Sequence, residues 1–403
     1  MKDAEDQQRL ITPRFLLVVS AGLAYFFSLG MLLPVVPLFV EGPLGGDKLA
    51  VGVAVGSFAV GAIVLRPWAG HIGDRAGRRV LMIGGALVVA ASAALYHVAG
   101  GIVALTVIRV LGGIGEAAFF VGAGTMVTDL APEPRRGEAI SYWSVAVYGG
   151  LALGPWLGES LACGGAEPSC ANGNFGIVWT VSAALGVAAA AIALFTRETA
   201  ELGIGAEPQQ HTRLLHPAAV LPGTVLFLGL IGLAGYTSFV ALYVREIGMK
   251  DSRGVLALYA VVILTVRIFG ARIPDRIGPV RAATFATVTG TGGLLLIAAV
   301  ATPAGLTIGT AVFAFGMSML YPAMLMFAIT DIPSSERGSA VGTVSSFFDL
   351  SQGLGAAVLG AVAELFGYRG GFLAAAVLTV GGLVVLRAGA ARRERDATAV
   401  AAR

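Results

Sequence analysis

Charge is what this sequence has least of. Of its 403 residues only 13% are Asp, Glu, Lys or Arg, about half the ~25% usual in a soluble domain and too few to clothe a water-facing surface. Histidine is nearly as scarce: His71, His97, His211 and His216 are the full complement, and they are read as forming no metal-binding pair. Cysteine occurs twice. The patterns GxSxG and HExxH are absent, as are a P-loop and any soluble domain, so neither an intramembrane enzyme nor a membrane sensor has residues to act with. The basic residues, 27 of them for a net charge of +3, fall singly and in pairs rather than on one aromatic-interleaved face, which excludes a nucleic-acid partner.

What is abundant is apolar. Hydrophobic residues make up 56%, glycine adds 57 residues and the mean hydropathy is +0.83, so about 70% of the chain is apolar where ~45–50% is usual. This composition defines an integral membrane protein. After a polar start, an uncharged run from Phe15 to Val40 is too long for a signal-peptide core and long enough to cross ~30 Å of hydrocarbon. Eleven further spans are predicted at 49–70, 80–99, 102–127, 138–161, 174–196, 219–243, 254–273, 280–301, 304–329, 338–365 and 370–387. With the N-terminus inside, nineteen basic residues face the cytoplasm, five face outward and three (Arg66, Arg109 and Arg267) lie within spans, an asymmetry that puts both termini in the cytoplasm of a multi-pass plasma-membrane protein. Cys163 and Cys170 then share an outward loop on the oxidising side, where a disulfide is expected.

The chain repeats itself. A shift of 201 residues superposes Arg66 on Arg267, Asp74 on Asp275, Arg75 on Arg276, Gly77 on Gly278, Gly115 on Gly316 and Gly154 on Gly355. Six helices are repeated in the same sense, which predicts an all-α membrane fold of two parallel six-helix halves, 1–196 and 219–403, joined by a cytoplasmic link at 197–218. On these residues the chain resembles the major facilitator superfamily: GHIGDRAGRR (Gly70–Arg79) is similar to that superfamily's loop between helices 2 and 3, and IPDRIGPVR is its weaker echo. Three further stretches resemble patterns of its twelve-helix drug-proton antiporters: LGMLLPVVP (Leu29–Pro37), RVLGGIGEA (Arg109–Ala117) and GLALGPWLG (Gly150–Gly158).

The resemblance implies roles. Gly70, Asp74, Arg75, Gly77 and Arg78 would form a gating latch, with Arg78 paired to Asp129 and a second copy at Asp275 and Arg276, weakened by Pro279 where the first has Arg78. Gly150, Gly154, Pro155 and Gly158 would form the antiporter motif; small residues at this spacing also serve plain helix packing, which is all that is expected of Gly52 and Gly56.

Charges inside the membrane cost ~2.5–3.5 kcal/mol or more each and mark function. Arg109 and Glu116 are seven residues apart, on one face of a helix and ~10.5 Å apart along its axis; if close to each other they could act as a proton switch, and the second half has Thr310 and Met317 at these positions. Asp349, in a stripe with Ser345 and Gln352, is the other proton or cation candidate. Glu159 and Glu364, near outer helix ends, are expected to reach water. Tyr25, Phe26, Tyr148, Tyr236, Tyr321, Phe348 and Gln352 are the expected contacts of an amphipathic substrate.

Together these point to a monomeric, proton-driven antiporter exporting a small drug or metabolite, with no cofactor or metal beyond the proton gradient and no enzymatic activity. An uptake symporter or facilitator on the same scaffold is the alternative.

Overall fold

The computed structural model describes residues 10–132, 135–164, 173–199, 216–270, 276–330, 332 and 337–401, and among these it contains helices and no strands. This is what an apolar solvent requires, because a helix satisfies its own backbone hydrogen bonds without water. The helices are α1 Pro13–Glu41, α2 Lys48–Ala76, α3 Arg78–Leu95, α4 Ile102–Asp129, α5 Arg136–Cys163, α6 Phe175–Leu194, α7 Pro217–Glu246, α8 Arg253–Phe269, α9 Pro279–Ala299 and α10 Pro303–Ile329. The last, Arg337–Ala401, is broken at Gly367, whose φ of 73° no helix tolerates; its two parts, 337–366 and 368–401, are α11 and α12.

Nine helices among the described residues are long and apolar enough to cross a membrane, with Ala340–Arg392 counted once. The twelve spans expected from the sequence would count α11 and α12 separately and add α5 and the 17-residue α8.

Several helix starts follow from local chemistry. Thr12 and Thr302 each precede a proline at the first helical position, and their hydroxyls accept from Phe15 N–H (3.2 Å) and Gly305 N–H (3.1 Å). Gly77 and Gly278, equivalent in the repeat, precede α3 and α9 with φ of 103° and 84°. An L side chain rarely adopts that conformation, which is why DRAG and DRIG both carry glycine there.

The chain forms two compact units. Unit 1 comprises Met1–Gly46, Ser57–Glu207 and Lys250–Ala260, and unit 2 comprises Asp47–Gly56, Pro208–Met249 and Val261–Arg403. The first turns of α2 and of α8 are therefore grouped with the opposite unit from the rest of their helices. In unit 1, α1 packs along α5 and α6, and α3 packs along α4 and α6; in unit 2, α7 packs along α11 and α12, and α9 packs along α10.

The repeat extends to single contacts. A methyl group built on Gly115 would lie 2.7 Å from the Gly85 carbonyl oxygen, and one on Gly316 would lie 2.6 Å from that of Ala286, 201 residues on. Gly154 likewise meets Gly30, and Gly355 meets Ile231. The interior of unit 1 is a cluster that includes Tyr25, Phe26, Phe119, Met126 and Trp143. It is tied polar side to polar side by Ser28 Oγ and Ser182 Oγ, 2.8 Å apart between α1 and α6.

Candidate functional site

The charged site of unit 1 is built by glycine. A methyl group on Gly113 of α4 would lie 1.8 Å from the Phe58 carbonyl oxygen of α2, and one on Gly61 would lie 2.0 Å from the Val110 carbonyl oxygen, so the two backbones touch. That contact brings the second turn beyond it, Arg66, against Glu116: Arg66 Nη2 lies 3.2 Å from Glu116 Oε2 and 3.5 Å from Oε1, with the side chains 13% and 12% exposed. The guanidinium also sits 5.3 Å from the centre of the Phe120 ring, a cation–π contact. Around the pair stand Phe26, 6.2 Å edge-on to Phe120, and Tyr25, stacked on Phe119 at 3.8 Å. The Tyr25 hydroxyl is buried without a hydrogen-bond partner and lies within the field of Glu116.

The pairing of Glu116 with Arg109 entertained from the sequence is thus replaced. Two helical turns separate their stems by ~10.5 Å along the axis, whereas α2 offers a partner at each level. Arg109, 6% exposed, places its guanidinium 4.8 Å from the Phe58 ring, and Glu116 takes Arg66. Sequence reasoning passed over Arg66 because its match with Arg267 marked it as scaffold. The signal was present nonetheless, since an arginine inside a span needs a counter-charge. In unit 2 the position of Arg109 is held by Thr310, bonded to the Tyr236 hydroxyl at 3.1 Å, and that of Glu116 by Met317, 4% exposed against Gly290.

The proposed substrate contacts divide. Tyr25 and Tyr236 are fully enclosed and Phe26 is 4% exposed, so these three are core in this structure, because aromatic rings fill the space that glycine-rich helices leave. Tyr148, Tyr321, Phe348 and Gln352 are half-buried; Tyr321 meets Phe348 edge-on at 5.7 Å and its hydroxyl lies 3.3 Å from Ser345 Oγ. Asp349 is 5% exposed.

At the turn between α2 and α3, Arg78 forms an ion pair with Asp129 at the end of α4. A residue not anticipated completes the cluster: the Glu198 carboxylate accepts from the N–H groups of Arg78 (2.9 Å) and Arg79 (3.0 Å), capping α3, while Thr199 Oγ1 donates to Asp129 Oδ2 (2.7 Å). Gly77 has room for no side chain, since its added methyl would lie 2.4 Å from Glu198 Oε2. Arg75 and Arg276 are exposed. The surroundings of Gly70 and the side chain of Asp74 lie outside the described set, as do Asp275 and most of the 197–218 link.

On α5, methyl groups at Gly150, Gly154 and Gly158 would fall 2.5–2.7 Å or closer to the backbone of Phe27, Gly30 and Met31, so the ladder and the buried Pro155 seat α5 on α1. Gly52 and Gly56 make an equally close approach to the Ala356 and Gly353 carbonyls of α11, in unit 2. The expectation that Glu159 reaches water is overturned: it is 2% exposed, whereas Glu364 is exposed. Burial follows from the fit of its carboxylate to Ser252. Cys163 is disulfide-bonded, and the chain's other cysteine, Cys170, lies outside the described residues. Among the described residues no group of three His, Cys, Asp or Glu side chains could hold a metal ion.

Repeated, apolar helical units with ionisable groups confined to a few interior positions define a membrane transporter. A Major Facilitator Superfamily model matches residues 18–334 and, overlapping them, 255–402, and the chain belongs to that superfamily. An uncharacterised MFS-type transporter of Salmonella typhimurium is 31% identical over 381 residues, covering 90% of this chain and 92% of that protein. Another, of Burkholderia pseudomallei, is 28% identical and covers 91% and 90%. Among solved structures, the nucleoside transporter NupG matches with a TM-score of 0.72 at 14% identity (94% of this chain, 99% of that one). A human organic anion transporter matches with 0.70 at 20% (93% and 98%), and a bacterial homologue of the human lysosomal transporter Spinster with 0.74 at 15% (92% and 95%). At these identities the structural likenesses establish the fold.

Proposed function

We propose that this transporter is a proton-coupled exporter: it exchanges protons for a small amphipathic compound by alternating access, from a plasma membrane in which both its termini are cytoplasmic. The observation that carries the proton-coupled part is the Arg66–Glu116 pair. Arginine keeps its charge at every physiological pH, so the one variable in the pair is the proton on Glu116. When Glu116 is ionised it pairs with Arg66; when it is protonated that ion pair is lost. Such a change alters which arrangement of helices is stable, and this is the differential binding that coupling requires. The acid exists in one half only, as Met317 shows, so it is a feature added to the scaffold rather than part of it. Asp349 is the second candidate for proton or cation recognition, and the half-buried Tyr148, Tyr321, Phe348 and Gln352 are the substrate contacts that this structure leaves reachable. The direction of coupling follows from the resemblance of Gly150–Gly158 to the antiporter motif, and the Gly70–Arg79 loop with Asp129 serves as the latch of the cycle.

The test is a panel of amphipathic probes, beginning with ethidium, assayed on purified protein in liposomes with an imposed pH gradient. Movement of probe against the proton flow, abolished by Glu116→Gln, is the expected result. Movement with the proton flow makes the protein a symporter, and movement indifferent to the gradient makes it a facilitator.

A further inference from the structure

Two carboxylates at helix ends hold the first turns of other helices. Glu364 of α11 accepts from the backbone N–H of Lys48 at the start of α2 (3.0 Å), and Glu159 of α5 accepts from Ser252 at the start of α8. Since α5 corresponds to α11 and α8 to α2 in the repeat, the same device is present twice, but the two copies differ. Glu364 is exposed and makes one such bond. Glu159 is 2% exposed and both its oxygens are engaged, Oε1 by Ser252 N–H (3.0 Å) and Oε2 by Ser252 Oγ (2.5 Å).

The charged groups facing Glu159 are Asp251 and Arg253. Arg253 spends its guanidinium elsewhere, on Asp251 Oδ2 (2.5 Å) and Ser160 Oγ (3.3 Å), and among the described residues no cationic nitrogen lies within ion-pair distance of Glu159. A buried carboxylate with two hydrogen bonds and no counter-ion is costly, because about four acceptor positions and a full charge need partners. The neutral acid has one donor and one carbonyl acceptor to satisfy, and Ser252 supplies a matching pair: its N–H donates to the carbonyl oxygen, and its hydroxyl, which donates to Oε2 of the ionised group, can turn to accept the acid proton.

We propose that Glu159 is a further proton-binding residue, loaded while the end of α5 is in water and carried into contact with Ser252 as the neutral acid, so that a proton favours closing α5 on α8. The inference rests on the proton-coupled reading above only for the side from which the proton arrives. Asp251 does not compete in this range, since its hydrogen bond to Arg253, with the arginine's charge, holds its carboxyl below the usual carboxylate values.

The experiment needs no substrate. Leu256→Cys, on the buried first turn of α8, is labelled with a membrane-impermeant maleimide in proteoliposomes, and its rate is divided by that of the exposed Glu246→Cys at each pH. In the parent the normalised rate should fall by about tenfold or more between about pH 8 and about pH 5.5, as one linked proton allows up to tenfold per unit. Glu159→Gln, whose amide reproduces the donor and acceptor of the neutral acid, should label slowly at every pH. Ser252→Ala should label fast at every pH, and it carries the test if Glu159→Gln does not fold. A flat parental profile, a Glu159→Gln profile like the parent's, or fast labelling of Glu159→Gln overturns the proposal. If ethidium transport ignores the pH gradient while labelling follows pH as expected, proton-coupled transport is the reading that falls and the role of Glu159 stands.

Discussion

Glu116 and Arg66 form a largely buried ion pair, and this sets what substitution does. Removing one partner of a buried pair costs ~3–5 kcal/mol because the survivor stays charged and desolvated; with both side chains 12–13% exposed, Glu116→Gln should cost somewhat less than that range. The double variant Arg66→Gln with Glu116→Gln should recover most of the loss while remaining uncoupled, as thermal unfolding in detergent alongside probe flux will show. A second prediction concerns Gly77 and Gly278. Both need a left-handed backbone, so alanine should cost ~1–2 kcal/mol at either. Gly77→Ala should be the worse of the two, since its methyl would also displace the Glu198 cap, whereas nothing lies within 4 Å of a methyl on Gly278. Glu116 was visible in the sequence as a charge where the repeat has none. Arg66 was hidden by its own repetition, and Glu198 by its place in a polar stretch after α6, where an acid has no reason to stand out.

Several helices of this protein meet backbone to backbone at glycine. Within a bilayer there is no hydrophobic drive between helices, and small residues let van der Waals contact take its place. The consequence is that equivalent substitutions should have opposite signs. Gly158→Ala would place its methyl 2.3 Å from the Met31 carbonyl oxygen and Gly113→Ala 1.8 Å from that of Phe58, in both cases against backbone that cannot rotate away. Each should destabilise by ~1–3 kcal/mol, the usual cost of overpacking. Gly124→Ala, also inside α4 but with nothing within 4 Å, should stabilise by roughly 0.5–1 kcal/mol through helix propensity. The order of melting temperatures of the three variants in detergent checks this. Spacing alone displayed these glycines without saying which touch what: Gly52 and Gly56 read as generic packing, yet they approach α11 as closely as the α5 ladder approaches α1.

At the scale of the whole molecule, coupling requires that proton and substrate act on one equilibrium between arrangements of the two halves. Glu116 and Asp349 lie in different halves, so neutralising either should remove gradient-driven transport without abolishing passage of the probe. In liposomes, Glu116→Gln and Asp349→Asn should therefore show at least about a tenfold loss of pH-gradient-driven ethidium movement, with exchange at equal pH on both sides retained. Loss of both activities together would indicate damage to the scaffold instead.

Composition, hydropathy and the 201-residue repeat by themselves determined that this chain is a helical membrane protein with a duplicated plan, because burial in hydrocarbon and the period of the repeat are properties of the linear order of residues. The partners of its few interior charges were decided only in three dimensions. Which arginine meets Glu116 depends on the register at which α2 lies on α4, and that register is set by Gly61 and Gly113, uncharged residues within two turns of the pair. In the same way Glu159 stopped being a surface acid only once Ser252, ninety-three residues away in the chain, was placed against it.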